Sequence, residues 1–171
     1  MRRMSAFAAA VIVGAACASL GAARPSAAHA DGQGFQGCYG FGRVAMAPGI
    51  TMSPHDGTFR FTQNLGPCRL SDPGVLSGTL TGTGEGSFSC VAGQGTARFL
   101  ARWENGRTSA GTFSFGTLGS HLAGSGTVTD GEFKGDRFGI GGELDPSHPS
   151  ACTSGGVTDA TSYESIGVSP G

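Results

Sequence analysis

His55 is followed directly by Asp56, and a histidine held by a carboxylate is how many hydrolases keep an imidazole ready to take a proton from serine. His121 follows Gly119-Ser120, and His148 lies in the proline-bearing loop Asp145-Pro-Ser-His-Pro-Ser-Ala-Cys152. A triad requires three such groups to meet in space. Here each histidine stands in or beside a turn-like stretch of its own, where a solvated side chain is the ordinary outcome. No nucleophile elbow, H-E-x-x-H pair, phosphate-binding loop or dinucleotide fingerprint occurs in the chain. No catalytic residue is therefore assigned.

Asp130, Glu132 and Asp136 crowd one short segment and could offer oxygen ligands to Ca²⁺. Their spacing matches no known calcium loop, and Lys134 sits among them. The reading is no metal and no cofactor. Tyr39, Trp103 and Tyr163 could line a carbohydrate or ligand surface, but Trp103 shares strand parity with Phe99, which favours the core. The ligand-binding residues stay unassigned.

Cysteine chemistry is more informative. The 171-residue chain has five cysteines. Cys17 falls in an N-terminal segment built like a secretory leader: Arg2-Arg3, then the apolar run from Phe7 to Ala16, then small residues ending in Ala28-His29-Ala30. The run is about ten residues, where a bilayer span needs roughly twenty. Cleavage after Ala30 is expected, leaving a single domain over 31–171. Lipoprotein processing at Cys17 fits less well, because Gly14 occupies the position that usually carries a branched aliphatic. A twin-arginine signal fits poorly with the Met-Ser-Ala-Phe that follows Arg3. The remaining Cys38, Cys68, Cys90 and Cys152 are even in number, so in an exported chain they read as two disulfides rather than a metal site.

Without Arg2, Arg3 and Arg24 the balance is eight basic residues against twelve acidic, a net charge of −4. Nucleic acids and anionic membranes select for basic patches, so neither is expected as a partner.

The elements that must position these residues are strands. Gly is frequent (32 residues), yet the glycines interleave with apolar and β-branched residues in period two, as a disordered linker has no reason to do. Eight runs read as strands: Cys38–Met46, Thr58–Leu65, Gly78–Thr83, Thr96–Trp103, Thr108–Phe115, Leu122–Thr129, Arg137–Leu144 and Val157–Val168. The third is expected to continue through its glycines to Cys90 with a bulge. Pro48-Gly49, Asp56-Gly57, Asn105-Gly106 and Asp130-Gly131 read as the turns between runs, with Asn-Gly suited to a type I′ hairpin. Short links favour antiparallel neighbours. The fold expected is all-β, an up-and-down barrel of about eight strands, with a two-sheet sandwich as the alternative.

Strand parity bears on the disulfides. With alternating strand directions, Cys38 and Cys68 fall at one end and Cys90 and Cys152 at the other, which predicts Cys38–Cys68 and Cys90–Cys152. If Gly82 to Gly86 is instead a full turn, Cys90 changes ends, and Cys68–Cys90 with Cys38–Cys152 becomes the pairing. The inward glycines Gly78, Gly82, Gly124, Gly126 and Gly142 would either relieve crowding or leave a cavity for a small apolar ligand.

Cys38 opening the first run, Leu65-Gly-Pro-Cys68, the Gly/Thr run into Ser89-Cys90, Trp103 before a polar hairpin, Thr127-Val-Thr-Asp-Gly-Glu-Phe-Lys-Gly135 and Ala151-Cys152 form a recurring pattern. Over nearly the whole mature length the chain resembles the small secreted Gly/Thr-rich β-proteins that abound in actinobacteria. The resemblance implies location and fold and brings no catalytic residues. The function expected is that of a secreted, non-enzymatic β-domain binding an extracellular or cell-surface macromolecule, with a small-ligand-binding barrel as the alternative.

Overall fold

A computed structural model describes residues 36–171, so the expected leader, its cleavage after Ala30 and Cys17 lie outside the described residues. Eight antiparallel strands follow one another around a closed barrel: β1 (Gly37–Ile50), β2 (His55–Arg69), β3 (Gly78–Phe88), β4 (Ala92–Trp103), β5 (Thr108–Leu118), β6 (His121–Gly131), β7 (Arg137–Pro146) and β8 (Val157–Ser169). A short 3₁₀ turn, Pro149–Thr153, lies between β7 and β8. Pairing of β1 with β8, from Gly37↔Gly167 to Ile50↔Val157, closes the ring. This is the barrel rather than the sandwich, and closure leaves no sheet edge to protect.

Strict alternation explains why it closes this way. Inward rows such as Phe59, Phe61, Gln63 and Leu65 on β2, or Ala97, Phe99, Ala101 and Trp103 on β4, are half-buried or buried. Arg43, Arg60, Thr62, Thr96, Arg98, Arg102, Thr112 and Ser125 face outward and are exposed. Polar outside and apolar inside is the reverse of a membrane barrel's alternation. No helix among the described residues is long and apolar enough to cross a membrane.

Glycine makes room for phenylalanine. Phe61 pairs with Gly82 and Phe59 with Gly84, and a Cβ on either glycine would lie 2.3 Å from the Cζ of its phenylalanine. Phe99 lies likewise over Gly111, and Trp103 over Gly78, at 2.7 and 2.8 Å. The rings cover the glycine backbone and supply the side-chain packing that a glycine strand lacks. For that reason β3 runs from Gly78 to Phe88 in unbroken register with both neighbours, without the expected bulge. The ladder shifts occur instead at Cys38/Gly40, Ala45/Ile50 and Ala110/Gly111.

The turns differ from expectation in three places. Asp56-Gly57 is no turn: it pairs with Ser87 and Gly86 inside β2, and the reversal occurs over 51–54, where Pro54 carries no N–H to lose from the ladder. Pro48-Gly49 lies within β1, which runs on to Ile50. In the Asn105-Gly106 hairpin only Gly106 has positive φ (83°), and its N–H donates to the carbonyl of Trp103. That geometry is a type I turn closed by a left-handed glycine, not type I′. Asp130-Gly131 ends β6, with Gly131 at φ 79° leading into a turn over 132–135.

The disulfides join Cys38 to Cys68 and Cys90 to Cys152, as strand parity predicts. The first staples the end bearing loops 70–77, 104–107 and 132–136, here called the lower end. The second staples the upper end, where loops 51–54, 89–91, 119–120 and 147–156 gather. Such bonds form in an oxidising environment.

The lower half is solid. Phe99 stacks on Phe138 with centroids 4.4 Å apart, and Trp103 meets Phe133 edge-on. The indole Nε1 donates to Ser109 Oγ at 2.9 Å, and that hydroxyl donates to the Glu132 carbonyl at 2.7 Å. A void of ≈ 20 Å³ remains there, room for about one water.

Candidate functional site

The upper half is not filled. Val44 and Met46 on β1, the Phe59–Phe61 pair on β2, Phe88 on β3 and Phe113–Phe115 on β5 form its walls, completed by Leu122, Ile140, Leu144 and Ala160. They enclose an apolar cavity of ≈ 320 Å³, at the small end of the range that holds small-molecule ligands. Phe59 stands edge-on to both Phe88 and Phe115, with centroids 5.8 and 5.2 Å away, so the rings brace one another rather than collapse inward. The mouth is framed by Ile50, Ser89, Cys90, Gly119, Ser120, Pro149 and Cys152. Its loops are cross-tied: Cys90 N–H donates to Thr51 O, Met52 N–H to Cys152 O and Gly119 N–H to Val91 O.

At the floor the chemistry changes. Gln63 and Glu164 line the cavity, whereas the next inward residues on their strands, Leu65 and Ile166, belong to the lower core. Gln63 is 2 % exposed, Ser162 0 % and Glu164 5 %, so a polar group of three is sealed between two apolar layers. Register brings them together. Gly42 on β1 pairs with Gln63 on one side and Ser162 on the other, and Gly40 and Gly142 both pair with Glu164. Gln63 Nε2 donates across the bare Gly42 to Ser162 Oγ at 3.3 Å. A Cβ on Gly42 would stand 2.8 Å from Gln63 Cγ, and one on Gly40 2.7 Å from Gln63 Oε1. These glycines make room for the long polar side chains, much as Gly82 and Gly84 do for rings. The inward Gly142, expected either to relieve crowding or to border a cavity, flanks Glu164, and a Cβ there would be 2.7 Å from its Cα.

Two buried oxygens, Gln63 Oε1 and Glu164 Oε2, have no hydrogen-bond partner among the described residues. Leaving such groups unpaired costs about 1–3 kcal/mol each. Burial pushes the Glu164 carboxyl up to about 7, while a hydrogen bond from Gln63 pulls the other way. Near neutral pH, Glu164 can therefore give or take a proton at a molecule in the cavity. Among the described residues no Lys, Arg or His lines the space to neutralise it.

The residues singled out from the sequence lie elsewhere. His55, His121 and His148 all fall at the upper end, but none lines the cavity. His55 Nδ1 hydrogen-bonds the Ser53 carbonyl at 3.0 Å, and His121 lies 3.5 Å from Glu143 in solvent. The Asp130, Glu132 and Asp136 segment is at the lower end, where Glu132 is turned toward Arg107, which also pairs with Asp72. Asp72 is held below the usual carboxylate range, first by the Gly74 N–H and then by Arg107. Among the described residues no group of three His, Cys, Asp or Glu is arranged to hold a metal. Trp103 is a core residue. Tyr39 and Tyr163 are exposed on the outer wall with Phe41, whose ring lies 5.1 Å from that of Tyr163.

Gln63, Ser162 and Glu164 were not among the sequence candidates, although a signal existed. Gln63 shares parity with Phe59 and Phe61, and Glu164 shares parity with Ile166 and Val168. A polar residue on an apolar parity is the mark of a buried polar group, but β8 carries too few apolar residues for its parity to stand out.

No protein-family model, curated protein or solved structure matches this chain.

Proposed function

We propose that this protein is an exported small-molecule-binding barrel, holding a mostly apolar ligand in its upper half with the ligand's polar end against Gln63, Ser162 and Glu164. The observation that carries this reading is the unfilled cavity itself: one half of the barrel is packed solid and the other is apolar, braced and floored by unpaired polar atoms. Packing alone gives no reason to bury a carboxylate beneath phenylalanines, because a Leu–Ile floor would be more stable. A bound molecule that pairs with it gives one.

Export with removal of residues 1–30 belongs to the same proposal. It is supported by the leader-like N-terminus, by two disulfides and by the resemblance to small secreted Gly/Thr-rich β-proteins of actinobacteria. The mature net charge of −4 supports partners other than nucleic acid.

The test is native mass spectrometry of protein purified from culture supernatant, followed by a screen with an environment-sensitive apolar dye. A retained small molecule, or saturable dye binding lost in Leu122→Trp, supports the reading. A ligand-free protein whose dye binding is unchanged by that substitution would overturn it.

A second reading, binding of a cell-surface macromolecule, rests on the outer aromatic strip of Tyr39, Phe41 and Tyr163, which are 61 %, 51 % and 55 % exposed. Aromatic faces that stand out of a polar wall are common contact anchors. Loss of cell-wall retention on Phe41→Ser with Tyr163→Ser, with dye binding intact, would favour it.

A further inference from the structure

The floor of the cavity constrains the head group of what binds there, an inference that rests on reading the cavity as a ligand site. Both unpaired atoms are oxygens. Gln63 has committed its Nε2 to Ser162, which leaves Oε1 as an acceptor. Glu164 Oε2, once the carboxyl has lost its proton, is a second acceptor. A head group that pairs with both oxygens of the ionised floor must therefore bring at least two hydrogens. A hydroxyl brings one. A primary amide brings two but buries a carbonyl that would then need a donor, and the ionised floor supplies none. A carboxylate brings none and would set like charge against Glu164.

Charge points the same way. Among the described residues Glu164 is the only acidic or basic one that lines the cavity, so its countercharge does not come from that wall. The residues paired beside it are Gly40 on β1 and Gly142 on β7, and the polar groups nearby on β2 and β8 are Gln63 and Ser162, none of which titrates. The walls above are phenylalanine rings, whose faces attract a cation more than an anion.

We propose that the cavity selects an amphipathic amine, with an apolar chain or ring among the phenylalanines and a primary or secondary ammonium group at the floor, donating to Glu164 Oε2 and Gln63 Oε1. Glu164 then binds as the carboxylate. Because burial keeps its proton on the empty protein up to pH of about 7, amine binding below that pH expels one proton to solvent. Affinity for the amine should rise as pH is raised from 5 to 7, by about tenfold per pH unit, and level off above that.

The experiment compares four ten-carbon probes on the full exported protein by isothermal titration at pH 8: decylamine, decanol, decanoic acid and decyltrimethylammonium. Decylamine should bind at least about tenfold more tightly than each of the others, the margin a charge-assisted hydrogen bond provides. In Glu164→Gln, an isostere whose folding is checked by circular dichroism, that preference should vanish. At pH 6, titration in two buffers of different ionisation enthalpy should show release approaching one proton per amine bound. Equal binding of all four probes would overturn the head-group assignment while leaving the ligand-site reading intact. Preference for decanoic acid, or equal affinity for the trimethylammonium probe that has no N–H, would overturn it too. If no probe binds and the apolar dye also fails, the ligand-site reading falls along with it.

Discussion

Gln63 and Ser162 reach one another across a strand that has no side chain between them: Gln63 Nε2 donates to Ser162 Oγ at 3.3 Å, and Gly42 on β1 is the register partner of both. A bare glycine at that rung lets two buried polar groups on non-adjacent strands pair inside a barrel of apolar rows. The same rung divides the solid lower core from the cavity. Gly42 is therefore a residue on which the architecture of the floor depends.

Gly42→Ala should lower stability by about 1–3 kcal/mol, because the new methyl would sit 2.7 Å from Gln63 Cα and 2.8 Å from its Cγ, with backbone on one side. Urea unfolding measures this. Gly139, where a Cβ meets nothing within 4 Å, is the control, and its alanine variant should be near neutral or slightly more stable.

Stability should fall as pH rises through the range in which Glu164 loses its proton. Its carboxyl is raised from 4.5 to about 7, so between those values the folded chain holds a proton that the unfolded chain has released. The contribution is fully present below pH of about 4.5, declines up to about 7, and by then has cost on the order of 3 kcal/mol. Urea midpoints at pH 5 and pH 8 should show the drop in wild type and much less of it in Glu164→Gln. An unchanged drop in the variant would remove Glu164 as its source.

The two disulfides should act at different places. Loops closed by Cys38–Cys68 and Cys90–Cys152 span 30 and 62 residues, which the chain-entropy model converts to about 3.6 and about 4.3 kcal/mol. Glycine strands lose extra backbone entropy on folding, so the chain depends on these bonds, and full reduction should unfold it. A thermal midpoint indifferent to reductant would contradict this. Cys90 and Cys152 also border the cavity mouth, so Cys90→Ser with Cys152→Ser should accelerate dye release as well as destabilise. Cys38→Ser with Cys68→Ser should destabilise while leaving the release rate of the folded fraction unchanged.

Trp103 is expected to matter for stability and not for binding. Trp103→Phe loses the hydrogen bond to Ser109, worth about 1 kcal/mol, together with part of the packing against Phe133. Because it lies in the lower core, below the polar floor, dye affinity should be unchanged. A binding defect in this variant would mean that the two halves of the barrel are coupled.

The sequence by itself determined the all-β class and the succession of strands, because alternation in period two is a local property that each run carries alone; barrel and sandwich share it, and the pairing of β1 with β8 decided between them. Parity then sorted Cys38 and Cys68 from Cys90 and Cys152, and the disulfides follow that sorting. Turn positions were less legible: Asp56-Gly57 is a good turn pair, yet ladder bonds to Ser87 and Gly86 draw it into β2. Only the tertiary structure decided where space is left. Glycine at 82, 84 and 111 is filled by a ring from a neighbouring strand, whereas glycine at 40, 42 and 142 makes way for Gln63 and Glu164. Nothing in the glycines themselves separates these cases, since what fills the space over a glycine is set by residues 12 to 124 positions away and by the register that places them beside it.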